Sequence, residues 1–129
     1  MIAGIGVDIV SIARIARMLD LHGEHFARRL LAESELADYR AAPAPAAFMA
    51  KRFAAKEAFG KALGTGIAQG VTLPQIAVRH DAAGRPWLEL SGAAAEHLAR
   101  RGIVAWHLSL ADEQEHAVAM VVLEQAAAS

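Results

Sequence analysis

The first ten residues alternate between two kinds of side chain. Ala3, Ile5, Val7 and Ile9 fall on one side of an extended chain, and Gly4, Gly6 and Asp8 on the other. Met1–Val10 therefore reads as a strand with one bulky apolar face and one nearly bare face around a single carboxylate. Ser11 is a helix-capping residue type, and Ile12, Ile15 and Leu19 follow it at helical spacing, which predicts a helix to about Leu21. A polar break at His22–His25 follows, then a helix over Glu33–Arg40 stopped by Pro43 and Pro45. The longest helical stretch covers Ala46–Leu63 and ends at Gly64-Thr65-Gly66. Val71–Val78 and Trp87–Leu90 read as strands around an Asp81-Ala82-Ala83-Gly84 turn, and Gly92–Arg101 as a short helix. Ile103–Leu110 and Ala117–Glu124 are β-rich runs joined by the acidic turn Asp112–Glu115. The tail Gln125–Ser129 is expected to fray. Helices gather in the first half and strands in the second, apart from the opening strand. That order indicates a single α+β domain over residues 1–129 rather than an alternating α/β fold.

Composition narrows the partners. The 129 residues carry 13 Lys plus Arg against 14 Asp plus Glu, so the chain has no general attraction for nucleic acid, and anion binding has to be local. There is no cysteine, which excludes disulfides and thiolate metal sites and fits a reducing compartment. Asp8 interrupts the apolar start and no basic residue precedes it, so it does not read as a signal peptide. No window approaches the length of a membrane span. The expectation is a soluble cytoplasmic protein.

Two places combine residues in a way that core building does not require. Glu57, Lys61 and Gly64 lie within about 60° of one another on the long helix, while Phe48, Ala55, Phe59 and Ala62 lie near its opposite side. A Glu–Lys pair four residues apart is ordinarily a surface contact worth about 0.3 kcal/mol. Here Gly60 sits inside the same helix at a cost of roughly 1 kcal/mol, which points to close packing or a close ligand. The helix also runs directly into Gly64-Thr65-Gly66, whose amides could wrap a phosphate. Those amides stand at a helix C-terminus, where the dipole disfavours anions, so Lys61 would have to compensate. This is not a Walker A loop, in which the glycines precede the helix. Asp8, inside an Ile- and Val-rich strand, must be paired, solvated or bound to a cation, and its glycine neighbours leave room beside it. Asp8 and Glu57 together are the one or two carboxylates that Mg²⁺ takes when phosphates and waters complete its shell.

The remaining polar features are less specific. His107 and Ser109 share one face of a strand, but no Gly-x-Ser-x-Gly elbow supports a serine hydrolase, and an isolated histidine there reads first as a core residue. The other histidines lack metal-site spacing. Gly84-Arg85-Pro86 reads as a turn entering a strand. On the first helix, Arg14, Arg17, Met18 and Leu21 form an apolar centre with a cationic rim opposite the buried stripe, a surface suited to an acidic helical partner. On the last strand Val118, Met120 and Val122 oppose Ala117, Ala119, Val121 and Leu123, so both faces are apolar and a second subunit is expected to cover one of them.

Taken together, Ile5-Gly6-Val7-Asp8-Ile9-Val10 with Arg14, then Phe53-Ala54-Ala55-Lys56-Glu57-Ala58 with Lys61 and Gly64-Thr65-Gly66, then His107-Leu108-Ser109-Leu110, resemble the holo-(acyl-carrier-protein) synthases, the small single-domain 4′-phosphopantetheinyl transferases. The resemblance covers essentially the full chain, and the Lys56-Glu57-Ala58 block with its following Lys and Gly-x-Gly is its most specific part. Many members have a histidine near Asp112 and an aromatic at His116, so the loop between them is assigned no catalytic role.

The resemblance implies transfer of the phosphopantetheine arm of coenzyme A to a serine of an apo acyl carrier protein, a step in fatty acid biosynthesis that releases adenosine 3′,5′-bisphosphate. It implies Mg²⁺ on Asp8 and Glu57, with Lys61 offsetting phosphate charge. Gly64 and Gly66 would let backbone amides approach the nucleotide, Arg85 and Pro86 would line the adenosine side, and His107 and Ser109 would sit near the coenzyme phosphates. The general base is left between Glu57 and a metal-bound water. The carrier would dock on the helix bearing Arg14, Arg17, Met18 and Leu21, and the coenzyme clefts would lie between the subunits of a homotrimer. The rival readings are a non-enzymatic module that binds nucleotide or carrier, and a purely structural domain with Asp8 salt-bridged. The presence of both carboxylates and Lys61 favours the enzyme.

Overall fold

A computed structural model describes residues 1–127. Its elements run β1 (Ile2–Ser11), α1 (Ile12–His22), α2 (Glu24–Leu30), α3 (Glu33–Ala41), α4 (Pro45–Leu63), β2 (Ile76–His80), β3 (Pro86–Leu90), α5 (Gly92–Arg100), β4 (Ile103–Asp112) and β5 (His116–Gln125). One antiparallel sheet has the order β1-β5-β4, and β2 and β3 form a separate hairpin. The Trp106 indole donates to the Leu88 carbonyl at 2.8 Å and ties the two sheets together.

Helix α4 is the axis of the molecule. Pro45 occupies its first turn, where the missing N–H costs nothing, and Gly64 ends it in the left-handed region at φ 89°. The sequence suggests a helix with one core side. Instead Met49, Ala50, Ala54, Ala55, Ala58, Phe59 and Leu63 are all buried, because the larger sheet covers one side of α4 while α1, α3 and β2 pack on others. Small side chains allow this. A Cβ on Gly6 would stand 1.9 Å from the Ala58 carbonyl oxygen, and one on Gly4 would stand 2.1 Å from that of Ala62. The room beside Asp8 that the glycines promised is therefore filled by the backbone of α4. Gly60 is likewise a packing residue, its position for a Cβ lying 2.9 Å from the Gly66 carbonyl carbon.

Other expectations are corrected locally. The break at His22–His25 is only a turn at Gly23, after which α2 buries Ala27 and Leu30. The expected strand Val71–Val78 begins only at Ile76, because Pro74 sits in a 3₁₀ turn over Leu73–Gln75. In the tail, Gln125 is not frayed: its amide donates to the Met1 carbonyl at 2.8 Å, while residues 128–129 lie outside the described residues.

A buried charge network locks α3 and β2 to α4. Glu35 and Lys56 are fully buried, with Lys56 Nζ donating to Glu35 Oε1 at 2.6 Å, to the Leu30 carbonyl at 2.7 Å and to the Leu73 carbonyl at 3.0 Å. Arg52 donates to Glu35 Oε2 at 3.0 Å and to the Val78 carbonyl, and the Ala32 and Val78 amides complete the carboxylate's shell. Burial, partly offset by Glu35, pushes the Lys56 ammonium down from 10.5 to about 8.

Candidate active site at the end of the central helix

Asp8, Glu57 and Lys61 meet where β1 crosses the C-terminal half of α4. Asp8 points to the α4 side of the sheet because it shares parity with Gly4 and Gly6, whose missing side chains let the helix approach. Lys61 Nζ donates to Asp8 Oδ1 at 2.8 Å and to the Val7 carbonyl at 3.1 Å. The Asp8 side chain is 15% exposed and that of Lys61 54%, so the carboxylate is fixed while the ammonium can swing outward on its stem. Glu57 lies one helical turn before Lys61. Burial, and next the Asp8 carboxylate, hold its carboxyl above the usual range, with Lys61 and Arg14 pulling the other way.

Among the described residues no group of three or more His, Asp or Glu side chains could hold a metal ion. The fit is instead to a hard cation that takes few protein ligands. After burial, the Asp8 carboxylate is what most tightens the hold of Glu57 on its proton, and a divalent cation between the two carboxylates would relieve that repulsion.

The Gly64-Thr65-Gly66 turn departs from expectation. The Gly64 amide donates to the Gly60 and Lys61 carbonyls and the Gly66 amide to the Gly60 carbonyl at 3.0 Å. Both amides therefore close the helix end, whose last carbonyls need donors, and are not free for a ligand. Thr65 lies between them at the surface of the turn, its hydroxyl donating to the Gly66 carbonyl at 2.7 Å. From Ile67 onward the chain walls a cavity of about 840 Å³, closed on the other side by Met18 of α1 and Phe26 of α2, with His22, His25 and Arg29 alongside. Sequence reading missed this groove because it missed α2.

The other predicted residues lie elsewhere in the chain. His107 and Ser109 pair through Val122 and Met120 with Ile5 and Val7, so they stand on the outer face of the sheet, opposite the face bearing Asp8. His107 is exposed rather than a core histidine, and its ring lies 2.5 Å from Glu124 Oε1. Arg85 ends the β2–β3 turn and Pro86 opens β3, the turn being organised by Asp81 Oδ1 accepting from the Ala83 and Arg85 amides at 2.9 Å each. Pro86 borders a smaller cavity of about 300 Å³ with Lys51 and Asp112. Lys51 precedes Lys61 by ten residues of helix, roughly 15 Å. Arg14, Arg17 and Leu21 are exposed on α1 and Met18 half-buried, and the Ser11 hydroxyl caps that helix by accepting from the Arg14 amide.

With this geometry in hand, the sequence matches the family model of the 4′-phosphopantetheinyl transferase superfamily over residues 4–121. The chain belongs to that superfamily. It is 55% identical over 123 residues to a holo-(acyl-carrier-protein) synthase of Halorhodospira halophila, covering 95% of this chain and 98% of that one. It is 56% identical to the synthase of an Azoarcus species, covering 96% and 98%. Among solved structures, the synthase of Neisseria meningitidis superposes with a TM-score of 0.92 at 45% identity, covering 97% of this chain and all of that one. A synthase of Bacillus anthracis in complex with coenzyme A (3′,5′-ADP) gives 0.82 at 41% identity, covering 98% and 99%. The superfamily fold is thus the α+β arrangement described above, and no helix among the described residues is long and apolar enough to cross a membrane.

Proposed function

We propose that this chain transfers the 4′-phosphopantetheine group of coenzyme A to a serine of an apo acyl carrier protein, releasing adenosine 3′,5′-bisphosphate. The observation that carries this reading is the Asp8–Lys61 contact with Glu57 beside it, on a chain of this superfamily. In the reaction the serine oxygen attacks the phosphorus that bears the pantetheine arm. The bond from that phosphorus to the bridging oxygen breaks, and the bisphosphate leaves with the electron pair. Asp8 and Glu57 would hold Mg²⁺, which when bound supplies neutralising charge to the pyrophosphate. Lys61, half-exposed and already at the site, turns its ammonium toward the leaving phosphate. The serine proton would pass to Glu57 or to a metal-bound water. The groove lined by Met18, Phe26 and Ile67 has room for the pantetheine arm.

His107 and Ser109, on the sheet face away from Asp8, reach the coenzyme if a second copy brings them, and Arg85 and Pro86 would line its adenosine side. Ile5, Val7, Ile9 and Met120 leave the outer sheet face apolar and 43–63% exposed, which favours assembly through that face, and the family resemblance implies a homotrimer with the coenzyme at its subunit boundaries. The carrier docks on α1 through Arg14, Arg17, Met18 and Leu21. A cytoplasmic setting suits a chain without cysteine. The test is to incubate the protein with coenzyme A, Mg²⁺ and apo acyl carrier protein and weigh the carrier. A gain of one phosphopantetheine arm is expected, and an unchanged mass refutes the reading.

A further inference from the structure

An anion drawn to Lys61, in the last turn of α4, sits at the wrong end of a helix. Nineteen residues of aligned peptide dipoles leave the C-terminus of α4 partly negative, and the last carbonyls point toward the turn. The glycine amides answer only part of this, since they close on the Gly60 and Lys61 carbonyls. The carbonyl of Leu63, the last residue of α4, receives a different donor: the guanidinium of Arg101, which stands just after α5, 38 residues further along the chain. The same guanidinium donates to the Ala3 carbonyl of β1 at 3.4 Å, next to the glycines that press against α4. Arg101 is itself held, its own carbonyl accepting from the Gln125 side chain at 3.0 Å. It is half-buried, so its charge acts through a medium less screening than water.

We propose that Arg101 is a positioning residue for coenzyme binding. By its charge it cancels the negative end of α4, so that the phosphates of the coenzyme can approach Lys61 in the last turn of that helix. Neither the helix dipole nor the turn's internal hydrogen bonds would favour that approach by themselves. This inference rests on the functional reading above and assigns Arg101 no contact with the substrate.

Two substitutions separate charge from tethering: Arg101→Gln removes the cation, whereas Arg101→Lys keeps it and loses the forked geometry. Calorimetry with coenzyme A, together with steady-state kinetics, is expected to show the dissociation constant and KM for coenzyme A rising on the order of tenfold in R101Q. In that variant kcat and the KM for the carrier should change far less, and R101K should recover most of the affinity. Equal losses in R101Q and R101K, or wild-type affinity in a folded R101Q, would overturn the proposal. Should R101Q fail to fold, R101K decides alone: an affinity within about twofold of wild type supports the charge role, and a tenfold loss overturns it. A wild type that binds no coenzyme A removes the functional reading and this inference with it. A wild type that binds, beside an unchanged R101Q, removes only the role of Arg101.

Discussion

Glu35 and Asp8 show two fates of a carboxylate held by lysine. Glu35 is sealed in and fully paired, whereas Asp8 sits at the rim with a partner free to leave. Their substitutions should fail in different ways. Glu35→Ala strands Lys56 and Arg52 as buried cations and is expected to cost about 3–5 kcal/mol in denaturant unfolding, against much less for Lys56→Met. The lowered affinity of Lys56 for its proton also sets a pH signature. Between pH 8 and 10.5 the unfolded chain holds a proton that the folded chain has released, so stability rises with pH across that window. Lys56→Met should flatten that rise, as read by urea midpoints at several pH values. Asp8→Ala and Glu57→Ala, in contrast, should leave the melting temperature near wild type. Each should remove on the order of 3 kcal/mol or more of transition-state stabilisation, over a hundredfold in turnover. Normal turnover by either variant at limiting Mg²⁺ would reassign the pair.

Among the elements, α1 would link the proposed carrier surface to Asp8, since β1 delivers Asp8 four residues before the helix begins at Ile12. Arg14→Glu should raise the KM for an acidic carrier while leaving coenzyme A binding unchanged. Added salt should weaken the wild-type interaction, screening charges beyond about 8 Å at physiological ionic strength. An unchanged carrier KM at low salt would move docking off this helix. Most elements were legible because their signals are local: the Ser11 cap, Pro43 and Pro45 after α3, Gly64 at the end of α4, alternation in β1 and the β-rich run of β5. What escaped depends on distant partners. Helix α2 has seven residues and no side-chain cap, and it is stabilised by burying Ala27 and Leu30. The enclosure of α4 follows from two sheets meeting around it, and Arg101 finds Leu63 only in the folded chain. Of the candidate site, helical spacing brought Glu57 and Lys61 together, and parity put Asp8 on the bare face. Nothing in the spacing indicated that the glycine amides would turn inward, or that the sheet would stand between Asp8 and His107. Pro74, by contrast, was a readable warning against a strand from Val71.

For the whole molecule, the outer sheet face is the decisive surface. Val7→Glu puts a charge at its centre and is expected to yield smaller particles in light scattering, with transfer activity lost alongside. A fully active monomer would refute assembly through this face. The same geometry has a genetic reading. Asp8 and His107 lie on opposite sides of one sheet, so a chain cannot bring both to one cleft, and each cleft between copies would draw them from different chains. Two defective proteins, one bearing Asp8→Ala and the other His107→Ala, should then rescue each other when dissociated and reassembled together. With random mixing in a ring, about a quarter of the boundaries would join an intact Asp8 to an intact His107. Two inactive parents would give working offspring, and dilution below the assembly threshold would silence them again.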